Sequence, residues 1–317
     1  IEYAKLYCGG LSLEQACPPN LKEQYHAIDE KLKAFMMSFN QAKLSLSDNC
    51  FYDLVPERYL LELSYLKDKI CEHIFANYEK PKNYDFLLEL EKITDKLKRQ
   101  ELSIDKTQLK NRLSEYKVRQ FYNKLNNVSP FVSYNMFGTR TGRLSTNKGS
   151  FPILTMDKAY RKVLNPKNEW FVELDYNAAE LRTLLALLGK EQPDEDIHEW
   201  NVKNIYEDDI TREEAKKRIF AWLYNPNSKD SVLDKAYDRD KIVNEYWDGS
   251  HVNTCFHRKI ESDKFHALNY IIQSTFSDIV LRQIIALDKL LEGRKTKIAF
   301  VIHDSVVLDF SKEDEQI

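Results

Sequence analysis

A chain of 317 residues is long enough for two or three structural units around a shared core. Hydrophobic residues at 43% and charged residues at 31% exclude a disordered or fibrous chain, and no apolar run approaches the roughly 20 residues of a membrane helix. A net charge of −3 announces no polyanionic partner by itself. Five cysteines, odd in number and without a C-x-x-C pair, argue against a disulfide framework and a zinc cluster and point to the reducing cytoplasm.

The chain opens at Ile1 beside Glu2, without the basic-then-apolar layout of a secretory signal, and a start at Ile suggests a fragment or a processed chain. Residues 21–125 read as mainly helical, with apolar residues three and four apart in LKEQYHAIDEKLKAFMMSF, LLELSYLKDKICEHIF and FLLELEKITDKLKRQ. Only eight glycines occur, which suits long helices, and Pro56, Pro81 and Pro130 mark element boundaries. Between Lys92 and Lys124 ten Lys/Arg face four Asp/Glu, and Thr139–Lys148 holds three basic residues and no acid. Such segments suit a phosphate backbone, and equally a solvated helix face.

From Ser129 the texture turns strand-like in FVSYNMFGTRTGRLSTNKGSFPIL. Trp170–Leu174 has the composition of a buried strand, and a helix follows over about 178–188, stopped by Gly189. Thr211 and Glu214 have the spacing of a capping box, which puts Arg212 in the first turn of a further helix. A long helix spans about 264–291, with Ala267, Leu268, Ile271, Ile272, Phe276, Ile279, Val280, Ile284 and Leu287 on its buried side and Gly293 closing it. IAFVI (298–302) and VVLDF (306–310), separated by His303, Asp304 and Ser305, read as a β-hairpin.

Two carboxylates stand out. Asp175 ends the strand WFVEL and Asp304 sits at the hairpin tip, each after an apolar run where a charge is costly unless paired or bound to metal. Neighbouring strand ends would let the two hold a pair of Mg²⁺ ions about 4 Å apart for in-line phosphoryl transfer. Read alone, an aspartate after a strand is also an ordinary turn former. Arg212, Lys216, Phe220 and Tyr224 recur every four residues, so all four share one broad helix face. Cations at the positive helix start followed by aromatics match the order of a nucleotide, triphosphate first and then sugar and base. An amphipathic surface helix has the same spacing. Asn269 and Gln273, four apart, can point their amides into one groove.

Taken in order, TRTGRLST (139–146), DYNAAELR (175–182), RxxxKxxxFxxxY (212–224), NYIIQST (269–275) and HDS (303–305) resemble the motif set of family A DNA polymerases. The resemblance covers residues 129–310 well and the N-terminal third only loosely. It implies an α+β right-hand architecture with an antiparallel palm sheet, helical fingers and a helical thumb. The implied layout is the tail of an upstream exonuclease-like region at 1–85, thumb 86–128, palm 129–195 and 252–317, and fingers 196–251.

The function implied is template-directed addition of deoxynucleotides to a primer 3′-end, a nucleotidyltransferase reaction using two Mg²⁺ ions, for which Mn²⁺ can substitute. Asp175 and Asp304, with the backbone carbonyl of Tyr176, match the metal ligands. Arg212 and Lys216 match the β- and γ-phosphate contacts, with Lys216 placed to protonate pyrophosphate. Phe220 would pack on the sugar, Tyr224 would stack at the nascent pair, His198 would contact phosphate, and Glu180 would fill the space a ribose 2′-hydroxyl needs. Arg143, Asn269, Gln273 and His303 match DNA contacts near the primer terminus. The implied partners are primer–template DNA and dNTPs, with no membrane, and the chain acting as a monomer.

Three positions depart from the family pattern: Ser305 where a Glu is usual, Phe265 where Arg is frequent, and Asn225 where Gly follows the tyrosine. Only 27 residues separate Tyr224 from Val252, and these short fingers, with HDS and NYIIQST, resemble a phage-type subgroup, whose protein would work in the host cytoplasm. The chain also stops sooner after the hairpin than the family usually does, as expected of a truncated chain. Two other readings stay open: a single-subunit RNA polymerase, against which Glu180 and Phe220 speak, and a DNA-binding remnant or structural subunit with a defective metal site, which Ser305 favours.

Overall fold

Scarce glycine and three-to-four spacing produce what the N-terminal third requires, long helices at Lys22–Gln41 and Glu57–Asn77. The computed structural model describes residues 2–44, 46, 49–207, 209–225 and 227–316. These fall into two compact units, 1–88 and 89–317, with the division inside the helix Tyr84–Lys98. In the first unit Ile28, Phe39, Tyr59, Leu66, Ile70 and Ile74 bury one stripe of each long helix. Pro56 stands immediately before Glu57, where its fixed φ suits the entry and its missing N–H costs nothing.

The second unit combines helices with a small antiparallel sheet. Its central strand, Ser305–Phe310, lies between Trp170–Leu174 and Lys297–Ile302. Ile302 pairs with Ser305, so the hairpin turns on His303 and Asp304 alone, and His303 takes the left-handed conformation at φ 51°. Trp170–Leu174 is an outer strand and is not the buried strand its composition suggests: Trp170 and Leu174 are each 45% exposed. Aromatic and β-branched residues fit any pleated surface, covered or not, so composition alone does not distinguish an edge from a centre.

Helices Ala179–Leu187, Ile197–Asn204, Arg212–Tyr224 and Arg239–Tyr246 gather with the long helix Lys264–Leu290 around one core. Fully buried Trp222 centres it, donating its indole N–H to Asp234 at 2.7 Å, with Arg239 over its ring at 5.0 Å. The capping box at Thr211 and Glu214 is complete in both directions. Around 274–278 the long helix is buried on more than the expected stripe: Ser274, Thr275, Ser277 and Asp278 are inside, while Ile279 and Leu287 are only half-buried. Among the described residues no helix is long and apolar enough to cross a membrane, and the five cysteines are all free.

Candidate active site

Strand pairing brings the two singled-out aspartates to the same end of the sheet. Leu174 lies opposite Val306, so Asp175, one residue beyond, and Asp304, in the hairpin turn, leave adjacent strands side by side. Both line a cavity of about 250 Å³ with Tyr176 and Gln283, walled by Val280, Ile284 and Leu287 of the long helix. One oxygen of Asp175 accepts the backbone N–H of Tyr176 at 3.0 Å. Burial raises the Asp304 carboxyl above its ordinary range; Arg143 opposes that, while the charges of Glu180 and Asp175 add to it.

Arg143 Nη2 donates to Asp304 Oδ2 at 2.9 Å and stands 3.7 Å from Glu180 Oε1. Burial first, and then the nearby Glu180 charge, hold the Tyr224 phenol well above its usual range. Asp304, Arg143 and Glu180 thus form one charged cluster beside the hairpin tip, close enough to Tyr224 at the end of the Arg212–Tyr224 helix for the Glu180 charge to act on its phenol. Glu180 reaches it from the first turn of its helix, which Ala178 opens in the left-handed conformation at φ 50°. Asp175 and Asp304 line the cavity and Glu180 stands nearby, with Arg143 bonded to Asp304 and 3.7 Å from Glu180, and the excess of negative charge suits a divalent ion. The cavity-facing donors are oxygens, with no imidazole or thiol among the lining residues, and hard Mg²⁺ takes such ligands. Among the described residues no three His, Cys, Asp or Glu gather closely enough to hold an ion by themselves. Magnesium sites completed by substrate phosphates need only one or two carboxylates, so the residues fit.

On the neighbouring helix Arg212, Phe220 and Tyr224 stay partly accessible and Lys216 exposed, while Ala215, Ile219, Trp222 and Leu223 fill the core side. Phe220 and Tyr224 stack at 5.8 Å, and His198 lies 6.2 Å from Phe220. Asp196 caps the His198 helix through the N–H groups of His198 and Glu199 and also grips Arg212 at 2.7 Å. That grip holds the Asp196 carboxyl far below the ordinary range. Burial first, opposed by the Asp196 charge, lowers His198 below its usual value.

Asn269 lines a second cavity, about 440 Å³, with Tyr224, Phe265, Arg239 and Lys264. Gln273 is half-buried one turn further along the helix and His303 is exposed at the hairpin tip. Among the described residues Arg143 Nε, His198 Nδ1 and Asn269 Oδ1 are buried without a hydrogen-bond partner. Each such atom costs about 1–3 kcal/mol, and Tyr59, Ser274 and Thr275, which are not among the predicted site residues, hold others. Ser305 is buried and donates to Glu173 on the adjacent strand at 3.0 Å, so its hydroxyl joins strands where the family pattern has a carboxylate.

The sequence reading missed two residues. Asp196 was legible as an N-cap in DIH, but its bond to Arg212 spans 16 positions. Asp278, an acid between Phe276 and Val280 on an apolar helix, signalled a buried charge in need of a partner. That partner is Arg258.

No family model matches this sequence, and no curated protein matches it. Among solved structures it is similar to the POL domain of Pol1 from M. smegmatis in complex with DNA primer-template and dNTP. The likeness has a TM-score of 0.50 at 13% identity and covers 81% of this chain and 69% of that one. The chain therefore has a polymerase-like fold.

Proposed function

We propose that this chain is a DNA-directed DNA polymerase of family A type that extends a primer 3′-end by two-metal phosphoryl transfer. The observation that carries the reading is the convergence of Asp175 and Asp304 on one cavity, with Arg143 reaching from Asp304 to Glu180. The polymerase-like fold supports it.

Asp175, Asp304 and the Tyr176 carbonyl would hold Mg²⁺ or Mn²⁺. Such ions, when bound, make the primer 3′-hydroxyl a better nucleophile and neutralise the leaving pyrophosphate. Arg212, Lys216 and His198 bind the triphosphate, and Lys216, the exposed cation of that face, donates the proton to pyrophosphate. Phe220 packs on the sugar. Glu180, paired with Arg143, occupies the position under the sugar where a 2′-hydroxyl would project, which favours deoxynucleotides and hence DNA over RNA synthesis. Tyr224 stacks on the nascent pair. Arg143, Asn269, Gln273 and His303 contact the primer end in the minor groove, whose acceptors differ little between base pairs.

In this reading the thumb is 86–128, the palm 129–195 and 252–317, and the fingers 196–251, with 1–85 the remainder of an exonuclease-like region. In the same reading the short fingers suit a phage-type enzyme acting as a monomer in the host cytoplasm. Extension of a labelled primer by the purified chain with Mg²⁺ and with Mn²⁺ tests the reading, with dNTPs and NTPs compared side by side. NTP preference would make it an RNA polymerase, and absence of extension with either ion would leave a DNA-binding remnant.

A further inference from the structure

A buried ion pair outside the carboxylate cavity bears on how Arg143 is aimed. Arg258 follows the tight turn of the hairpin formed by His251–Asn253 and Lys259–Glu261, where His257 takes the left-handed conformation at φ 65°. Thr254 closes that turn twice, donating its N–H to the Arg258 carbonyl at 2.9 Å and accepting the Arg258 N–H on its hydroxyl at 3.1 Å. The Arg258 side chain, 12% exposed, runs inward to Asp278 of the long helix, which is wholly buried. Nε lies 2.9 and 2.8 Å from the two carboxylate oxygens, and Nη2 lies 2.8 Å from Oδ1. Against this clamped guanidinium rests the backbone of Gly142, the residue before Arg143. A Cβ added to Gly142 would fall 2.4 Å from Arg258 Cζ and 2.7 Å from Nη1, and its φ of 80° already disfavours a side chain. On the far side of the same turn, Thr139 Oγ1 donates to the Arg143 carbonyl at 2.7 Å.

We propose that Arg258, held in plane by Asp278, is a positioning residue: it is the wall on which Gly142 seats, and the seat sets the direction in which Arg143 reaches Asp304 and Glu180. The backbone of residues 139–143 is thereby gripped from both sides. A planar guanidinium with both carboxylate oxygens engaged has one orientation, which a flexible lysine does not reproduce. Removing the wall lets the turn relax, and Arg143 leaves Asp304 without any change to a residue that meets substrate. This inference rests on the polymerase reading for its catalytic readout only.

The test is a double-mutant cycle on primer extension with Arg258→Lys and Arg143→Ala, together with crystal structures of the parent and of Arg258→Lys. Arg258→Lys is expected to lower kcat by about 100-fold, the scale of an ångström-level misplacement, with KM for primer–template within about threefold. In the Arg143→Ala background the same substitution should change kcat by less than about threefold, because its effect runs through Arg143. Equal loss in both backgrounds would overturn the proposal, since a general weakening of the fold is additive. Gly142→Ala, whose Cβ would meet the Arg258 guanidinium and force the turn off its seat, should repeat the kcat loss, and serves if Arg258→Lys does not fold. If the parent chain extends no primer, the polymerase reading falls and the structures decide the brace: Arg143 displaced from Asp304 in the variant supports it, and an unchanged bond overturns it.

Discussion

Two arginine–aspartate pairs in the second unit are made of the same groups and built to different ends. Arg258 meets Asp278 with both carboxylate oxygens engaged and the acid wholly out of solvent. Arg143 meets Asp304 through one nitrogen on one oxygen, with both side chains 26% exposed. In each, burial raises the acid and the arginine opposes the rise. The difference lies in what remains unbonded. The Arg258–Asp278 pair engages both carboxylate oxygens and acts as a brace, whereas the Arg143–Asp304 pair engages one and lies with Asp175 at a cavity, which in the proposed function is where a cation binds. Charge alone does not distinguish them.

The contrast can be broken by substitution. Asp304→Ala should lower primer extension by about 1,000-fold or more, since ligation of the ions supplies several kcal/mol to the transition state. Its melting temperature should stay within about 3 °C of the parent. Asp278→Ala should do the reverse, lowering the unfolding free energy in urea by about 3–5 kcal/mol by stranding the Arg258 charge in the interior. If Asp304→Ala unfolds the chain and Asp278→Ala leaves it stable, the two pairs have been assigned the wrong way round.

Lys216→Ala sharpens the site side of the comparison: kcat should fall by about 100-fold, as expected for loss of a proton donor, while the fold is unaffected. Glu180→Ala should narrow the preference for dNTPs over NTPs by about 10–200-fold, the range set by filling or emptying a small pocket. Competition between the two nucleotide types reads it directly.

The smallest expected effect is a pH dependence. His198 has a folded-state value below its unfolded one, so its contribution to stability is present above about pH 6.5 and is lost as pH falls through the lowered value. Asp196 stays ionised through that window because Arg212 holds it far lower. Melting curves of the parent should therefore fall below those of His198→Gln, relative to their difference at pH 7.5, as the buffer is taken toward pH 5.

The features legible in the sequence were those whose causes are local. Thr211 and Glu214 sit three apart and cap their helix by themselves, and a link of only three residues between apolar runs leaves Asp304 no other place than a hairpin tip. The four-residue recurrence from Arg212 to Tyr224 likewise fixes one face, because helical geometry alone decides it. What stayed hidden depends on distant pairing. Arg143 and Asp304 are 161 positions apart, and no periodicity links them. Arg258 sits in a hairpin whose three-residue strands are too short to show alternation, so nothing marked it as the partner of Asp278, 20 positions on. The edge position of Trp170–Leu174 was hidden for the same reason, since a strand's own residues do not say how many neighbours it has.

That outermost strand has a consequence for handling the protein. Its outward row of peptide groups is a ready template for sheet extension by another extended chain, and Trp170 and Leu174 supply a greasy rim on which such a chain would adhere. Concentrated solutions should cloud by strand-to-strand accretion beginning there, and a lysine at position 172 should keep them clear.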